Sequence, residues 1–264
     1  MQIKFHKYQG TGNDFILIDN RQNNIELNTQ QIAQLCDRRF GIGADGLILL
    51  ELEPGFDFRM VYFNADGNQS SMCGNGGRCI TAYAQHLGMI QNSARFLAID
   101  GAHEALIAAD GMVSLKMQEV KQIEAGDDFF YLNTGSPHYV KAVENLKNYN
   151  VFEEGKKIRY NERFAEEGTN VNFIEKTDDT LFVRTYERGV EDETFSCGTG
   201  VTAAALVAAL TGISTGKNNC LIKTLGGDLE VTFEKVLDRN FYNIWLKGPA
   251  VMVFEGSIPL AEII

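Results

Sequence analysis

Two cysteines in this chain stand in matching surroundings, and thiols in such surroundings do proton chemistry. Met72-Cys73-Gly74-Asn75-Gly76-Gly77 and Ser196-Cys197-Gly198-Thr199-Gly200-Val201 share the pattern Cys-Gly-x-Gly. Each follows a polar loop and leads into a run with helical character. A helix that opens at a cysteine turns the N–H groups of its first turn outward and adds partial positive charge there. Such an end binds a carboxylate and enriches the thiolate form of the cysteine. Its glycines let a ligand come close to the backbone. With two such ends facing each other, a small carboxylate held by both has one sulfur on each face of its α-carbon. One thiolate removes the α-proton, the other thiol returns a proton to the opposite face, and the stereocentre inverts. The helix ends stabilise the charge that develops on the carboxylate. Thiols suit the work because their acid and base forms coexist near neutrality.

Other chemistries fit less well. Cys36, Cys79 and Cys220 lack the Cys-Gly-x-Gly pattern and read as small buried hydrophobes. Cys73 and Cys79 are too widely spaced for a zinc pair and no His cluster accompanies them, so no metal is expected. A redox Cys-x-x-Cys is absent, and a Cys73–Cys197 disulfide would be an oxidised, inactive form. Gly41-Ile42-Gly43-Ala44-Asp45-Gly46 matches G-x-G-x-x-G, but it follows a helical stretch and opens the apolar run Leu47–Leu50. A dinucleotide fingerprint has the reverse order. The Gly-Asn-Gly-Gly-Arg segment lacks the Lys-Ser/Thr of a phosphate loop, and no Schiff-base lysine stands out. No cofactor is expected.

The elements that must hold the two segments can be read from periodicity. Residues 3–8 and 15–19 read as strands joined by Gly10-Thr11-Gly12-Asn13-Asp14. A short helix over 29–39 has Thr29 as its expected N-cap, and strands follow at 46–51 and 57–63. A polar loop runs from Asn64 to Gly77, then a helix from about Arg78 to Leu87 and strands at 95–99, 103–108 and 112–118. In the second half, 138–144 is mixed, and 170–175 and 181–186 are strands. The loop Glu187–Gly200 leads into a helix over Val201–Leu210, closed by Gly212 as C-cap glycine. Strands at 220–225, 228–234 and 241–246 follow. The cysteines lie 124 residues apart, about half of the 264, which points to an internal repeat of two similar domains rather than a solenoid. The expected division is 1–117 and 118–249, with a strand over 250–264 returning to the first domain. A net charge of −11 disfavours nucleic acid. No run of about 18 apolar residues predicts a membrane span, and the N-terminus lacks the apolar core of a signal peptide. Free thiols and a cytoplasmic location are therefore expected.

Taken together, Phe63-Asn64-Ala65-Asp66-Gly67, Met72-Cys73-Gly74-Asn75-Gly76, Glu187-Arg188-Gly189-Val190 and Cys197-Gly198-Thr199-Gly200 make the sequence resemble the diaminopimelate epimerases over nearly its whole length. Gly12-Asn13-Asp14-Phe15, Gly135-Ser136-Pro137-His138 and Thr169-Asn170-Val171-Asn172-Phe173 support this. The resemblance implies an α+β fold of two pseudo-symmetric domains, each a curved, mostly antiparallel sheet or barrel around a central helix, with the active-site cleft between them. It implies a homodimer, and conversion of LL- to meso-diaminopimelate without pyridoxal phosphate, serving lysine and peptidoglycan synthesis. Cys73 and Cys197 would be the catalytic pair. Gly74, Asn75, Gly198 and Thr199 would bind the reacting carboxylate. Asn13, Asn64, Asn170 and Arg188 would read the distal end of the substrate, with Glu187 attracting its ammonium. His138 and Glu187 would tune the thiols. Many relatives have Asn where Ser136 stands and some have Gln where Gly46 stands; Glu191-Asp192-Glu193 makes the loop one residue longer and more acidic.

Three other readings compete. One is a same-fold isomerase of the proline racemase or phenazine-biosynthesis type. Proline racemases usually carry His where Asn75 stands, and the phenazine type lacks the cysteine pair. A non-catalytic amino-acid binder would need only the helix N–H groups. A thiol redox protein is disfavoured by the spacing.

Overall fold

The computed structural model describes residues 2–70, 72–237 and 239–259. The chain divides into two compact units, Met1–Leu115 with Pro249–Ile264, and Lys116–Gly248. Both are α+β, built from mixed sheets that surround one helix each.

In the first unit, β1 (Gln2–Gly10) and β2 (Asn13–Asp19) form an antiparallel hairpin. Its turn holds Thr11 at φ 52° and Gly12 at φ 83°. The helix α1 (Thr29–Cys36) then leads to β3 (Gly46–Glu51), parallel to β2, and β4 (Phe58–Asn64), antiparallel to β3. The centres of these two strands, Phe15–Ile18 of β2 and Leu47–Leu50 of β3, are unbroken apolar runs because both faces are covered. Ile16, Ile18, Leu47 and Leu49 pack with Ile32 and Leu35 of α1. Phe15 and Ile48 face Gly76 on α2 (Gly74–His86). β5 (Ser93–Ala98), β6 (Gly101–Ile107) and β7 (Val113–Lys116) complete an antiparallel run, with β5 parallel to β4.

The second unit repeats this pairing pattern. β8 (Ile123–Ala125) precedes β9 (Phe130–Asn133), which is antiparallel to β10 (Pro137–Ala142). Next come α3 (Val151–Arg159), then β11 (Asn170–Thr177), parallel to β10, and β12 (Thr180–Glu187), antiparallel to β11. A short β13 (Asp192–Thr194) precedes α4 (Gly198–Thr211). β14 (Asn219–Thr224) is parallel to β12 and continues antiparallel into β15 (Gly227–Leu237) and β16 (Asn240–Gly248). Thus β9, β10, α3, β11, β12, α4 and β14 to β16 correspond in order and direction to β1, β2, α1, β3, β4, α2 and β5 to β7. Finally β17 (Val251–Pro259) pairs antiparallel with β1, Gln2 opposite Pro259 and Gln9 opposite Val251. Of the strand expected over 250–264, residues 260–264 lie outside the described residues.

The central helices differ in composition. α4 is buried over Val201–Ala208 and has no polar face, as a helix enclosed by strands on all sides must be. It ends at Gly212 with φ 78°. α2 starts four residues earlier than the pattern suggests, inside Gly74-Asn75-Gly76-Gly77. Glycines disfavour a helix, but close packing overrides that here: a side chain on Gly76 or Gly77 would crowd Ile48, Met60 or Leu115. The N-cap of α1 is Asn28, not Thr29. Asn28 Oδ1 accepts from Gln31 N–H at 2.9 Å and Gln31 Oε1 accepts from Asn28 N–H at 3.0 Å, a reciprocal capping box.

The sequence pattern assigns nothing over Val151–Arg159, where the structure has α3. Its apolar face is sparse, and Gly155 interrupts it. The glycine is the docking point: a Cβ there would lie 2.4 Å from Tyr186 Cβ on β12. The measurable consequence is that Gly155→Ala forces α3 off β12 and destabilises the chain by about 1–3 kcal/mol, read as a lower midpoint in urea unfolding. An unchanged midpoint would mean that α3 packs differently.

Candidate active site

Both cysteines are N-caps in extended conformation. Cys73 has φ −95° and ψ 129°, and Cys197 has φ −112° and ψ 113°. The first helical bond closes on each cysteine carbonyl, Gly77 N–H to Cys73 O at 2.7 Å and Val201 N–H to Cys197 O at 2.8 Å. The N–H groups of the turn between have no acceptor inside the helix. Gly74, Asn75, Gly198 and Thr199 make up the opening turns that the two cysteines cap, and helix ends of this kind attract anions. The other three thiols are of a different kind. Burial pushes Cys36 and Cys79 up to about 12 and raises Cys220 as well, which leaves them inert.

In the first unit the site begins at the β1–β2 turn. Asn13 Nδ2–H donates to Asp45 Oδ2 at 2.7 Å, which fixes the orientation of the amide. Its Oδ1 accepts from Asn75 Nδ2–H at 3.2 Å and from the Cys73 thiol at 3.5 Å. An oxygen that accepts from sulfur favours the protonated thiol. Asp45 and Asp14 are anchored by Arg38 at 2.7 Å each, and Lys7 Nζ lies 2.8 Å from Asp14 Oδ2 while donating to Gly43 O. Asn64 ends β4 with an exposed side chain. Gly46 sits beside it in the β3–β4 register. A Cβ on Gly46 would lie 2.5 Å from Phe63 O, so this backbone has no room for a longer residue without moving.

Arg78, which sequence reasoning places only at the start of a helix and not in the site, is fully buried. Its guanidinium donates to Thr11 Oγ1 at 3.2 Å, Pro249 O at 3.3 Å and Gly74 O at 3.5 Å. It thereby ties the hairpin turn, the entry to β17 and the first turn of α2 together. Burial lowers its pKa while the Cys79 and Cys73 sulfurs raise it, so its charge and the Cys73 sulfur act on each other. The only clue in the sequence is an arginine among glycines, Cys79 and Ile80.

In the second unit His138 is fully buried. Burial, and then the charge of Arg188, lower its pKa to about 3, so it is neutral at ordinary pH. Its Nδ1 lies 3.0 Å from Asn172 Nδ2 and its Nε2 lies 2.9 Å from Ser136 Oγ. Ser136 Oγ is 3.2 Å from Thr199 Oγ1, and Thr199 Oγ1 is 3.4 Å from Cys197 Sγ. Asn170 is buried, donating from Nδ2 to Ser136 Oγ at 3.2 Å and Pro137 O at 3.0 Å; its Oδ1 accepts Arg188 N–H at 3.0 Å. Glu187 Oε2 accepts from Thr194 Oγ1 at 2.8 Å, and the exposed Arg188 reaches Glu167 O at 2.9 Å. Asn172, which the sequence did not mark as a site residue, lies against α4: a Cβ on Gly200 would be 2.3 Å from its Oδ1. Each unit thus gathers its own subset. Asn13, Asn75 and Cys73 meet in the first; Asn170, Arg188, His138, Thr199 and Cys197 adjoin in the second.

One group of potential metal ligands is found among the described residues, His6, His86 and Glu255, with ligand atoms within 4.8 Å. It lies at the last turn of α2, the far end from Cys73, and His6 and Glu255 are already engaged with each other at 3.2 Å.

The fold is that of a class of epimerases and related proteins. It is similar to a PhzF-family phenazine biosynthesis protein from Bacillus anthracis, with a TM-score of 0.73 at 15% identity over 98% of this chain and 100% of that one. It is similar also to a hydroxyproline epimerase from Agrobacterium vitis, with a TM-score of 0.71 at 14% identity over 98% and 93%. Within that class, residues 5–123 and 130–253 match the family described as diaminopimelate epimerase. The diaminopimelate epimerases of Flavobacterium psychrophilum and Chlorobaculum tepidum are 55% and 44% identical, over 97% and 95% of this chain and 100% and 99% of theirs. The chain belongs to the diaminopimelate epimerase family and is an isomerase.

The charge cluster beneath Asn13 has a pH signature. Burial pushes Asp14 up, but hydrogen bonds and charges from Arg38 and Lys7 outweigh it and hold Asp14 at about 2. A depressed carboxylate stabilises the fold fully above its unfolded value of about 3.9. That stability is lost as pH falls through about 2. Asp14→Asn is therefore expected to cost stability at pH 7 and to remove part of the acid-induced fall between about pH 4 and 2. Urea unfolding at both pH values reads this; equal losses at pH 7 and pH 2 would contradict it.

Proposed function

We propose that the chain interconverts LL-2,6-diaminopimelate and meso-diaminopimelate with no cofactor, using Cys73 and Cys197 as a two-thiol acid–base pair. The observation that carries the reading is the shared N-cap geometry of the two sulfurs, each beside N–H groups suited to a carboxylate. One thiolate takes the α-proton and becomes a thiol. The electron pair left behind spreads into the carboxylate, where Gly74, Asn75, Gly198 and Thr199 meet it. The other thiol gives its proton to the opposite face and becomes a thiolate, so the pair ends with its roles exchanged. The hydrogen bond from Cys73 to Asn13 Oδ1 supports Cys73 as the resting acid. Asn13, Asn64, Asn170 and Arg188 select the distal amino-acid group, and Glu187 faces its ammonium. His138 and Glu187 condition the thiols.

Among the described residues no helix is long and apolar enough to cross a membrane. A cytoplasmic step in lysine and peptidoglycan synthesis is the setting this chemistry fits. The homodimer reading draws support from Val251, Val253 and Phe254 on β17, which stay exposed in the single chain. Val253→Asp should convert a dimer to monomer in sedimentation; a wild-type monomer would end that reading.

Cys73→Ser and Cys197→Ser are each expected to lower kcat/KM by about 10²–10⁴-fold or more while leaving circular dichroism unchanged. In D₂O the wild type should place deuterium at one α-carbon of diaminopimelate and none in L-proline. Full activity in both single variants would refute the two-thiol mechanism, and exchange only into proline would select the racemase reading.

A further inference from the structure

The route from His138 to Cys197 runs in one direction, and side chains at its origin set that direction. Tyr139 O can only accept, so the Asn172 group 3.1 Å from it is the NH₂. Thr185 Oγ1–H donates to Asn172 Oδ1 at 2.9 Å, which agrees. The same NH₂ then donates to His138 Nδ1 at 3.0 Å. Since His138 is neutral, its proton is on Nε2, and Nε2–H donates to Ser136 Oγ at 2.9 Å. Asn170 is likewise fixed, its NH₂ on Pro137 O and its Oδ1 on Arg188 N–H, so it too donates to Ser136 Oγ. Both lone pairs of the serine oxygen are now filled. Its own proton goes to Thr199 Oγ1 at 3.2 Å, and the Thr199 proton goes to Cys197 Sγ at 3.4 Å.

We infer that Ser136 and Asn172 are positioning residues, which with His138 and Thr199 form a one-way hydrogen-bond chain ending as a donor on Cys197 and holding that sulfur as the resting thiolate. A donor to sulfur favours the anion. The inference deepens the two-thiol reading and rests on it for its functional meaning. The internal repeat adds an independent reason. Ser136 lies two residues before His138, which is opposite Asn170; Asn13 lies two residues before Phe15, which is opposite Gly46. Ser136 and Asn13 therefore occupy equivalent positions. At one the chain donates toward its cysteine, and at the other Asn13 Oδ1 accepts from it. Two sulfurs with the same helix-end geometry thus receive opposite hydrogen-bond polarity. Among the described residues, the titratable group within the chain is His138 on β10, and the charged groups considered with it are Glu187, which ends β12, and Arg188 just beyond it. Arg188 acts through its charge on His138, and Glu187 is held by Thr194.

The test is the pH dependence of Cys197 alkylation by iodoacetamide in the full-length Cys73→Ser protein, where Cys36, Cys79 and Cys220 are enclosed more completely than Cys197 and burial holds their thiols protonated. The midpoint reads thiolate formation, and the high-pH plateau reads access. Ser136→Ala breaks the chain, so the midpoint should rise by about one pH unit, a roughly tenfold smaller thiolate fraction at pH 7. Ser136→Thr should restore it. Thr199→Val cuts the chain at its last link and should give the same rise, which guards against a folding defect peculiar to Ser136→Ala. A change in plateau with no change in midpoint, in both Ser136→Ala and Thr199→Val, would overturn the inference. Failure of the two-thiol reading shows separately, as epimerisation retained by Cys197→Ser.

Discussion

A helix that begins at a cysteine leaves the N–H groups of its first turn without acceptors in the helix, and each half of this chain is arranged about one such end. The requirement is demanding. The turn must stay short of side chains so that backbone and ligand can meet, yet the helix behind it must be rigid. Both halves meet this by enclosing the helix in strands, with glycines where the strands press closest. Gly76 lies against Phe15, Ile48 and Met60, and Gly200 lies against Asn172. The sheet holds the helix firmly enough that four glycine-rich residues stay helical against their own propensity.

Equivalence of the two halves supplies the scaffold, and departures from equivalence supply the chemistry. The order and direction of strand pairing repeat almost element for element. Where the first half has Phe15 and Ile48 against its helix, the second has His138 and Asn172, both buried. An apolar pair on one side answers to a polar pair on the other. Buried polar groups are costly unless each is bonded, and the His138–Asn172–Thr185 set is satisfied across neighbouring strands by its own side chains and the Tyr139 carbonyl. That accounting leaves little freedom for the protons within it.

Much of this was legible in the sequence where signals are local. The two Cys-Gly-x-Gly segments, the apolar strands beside them and Gly212 each announce themselves within a few residues. Asn28 against Thr29 is a one-position ambiguity between two good caps, settled by Gln31. The helix over Val151–Arg159 escaped because Gly155 interrupts a narrow apolar face and only its fit to Tyr186 explains it. Arg78 escaped because arginines are seldom enclosed. Ser136 and Thr199 meet across 63 positions of sequence, and no periodicity joins them.

Arg78 also bears on how this protein could be engineered. Its guanidinium is enclosed with a hydroxyl and two carbonyl oxygens as partners. A methionine of similar volume would leave that hydroxyl and both carbonyls without their donor, and buried acceptors stripped of a partner cost stability. The hairpin turn carrying Asn13, the start of β17 and the opening turn of α2 would lose their common tether, and Cys73 a cation buried beside it. Heat resistance and alignment would fall together at this position, so a thermal ranking of variants would screen for an intact site as well as for an intact fold.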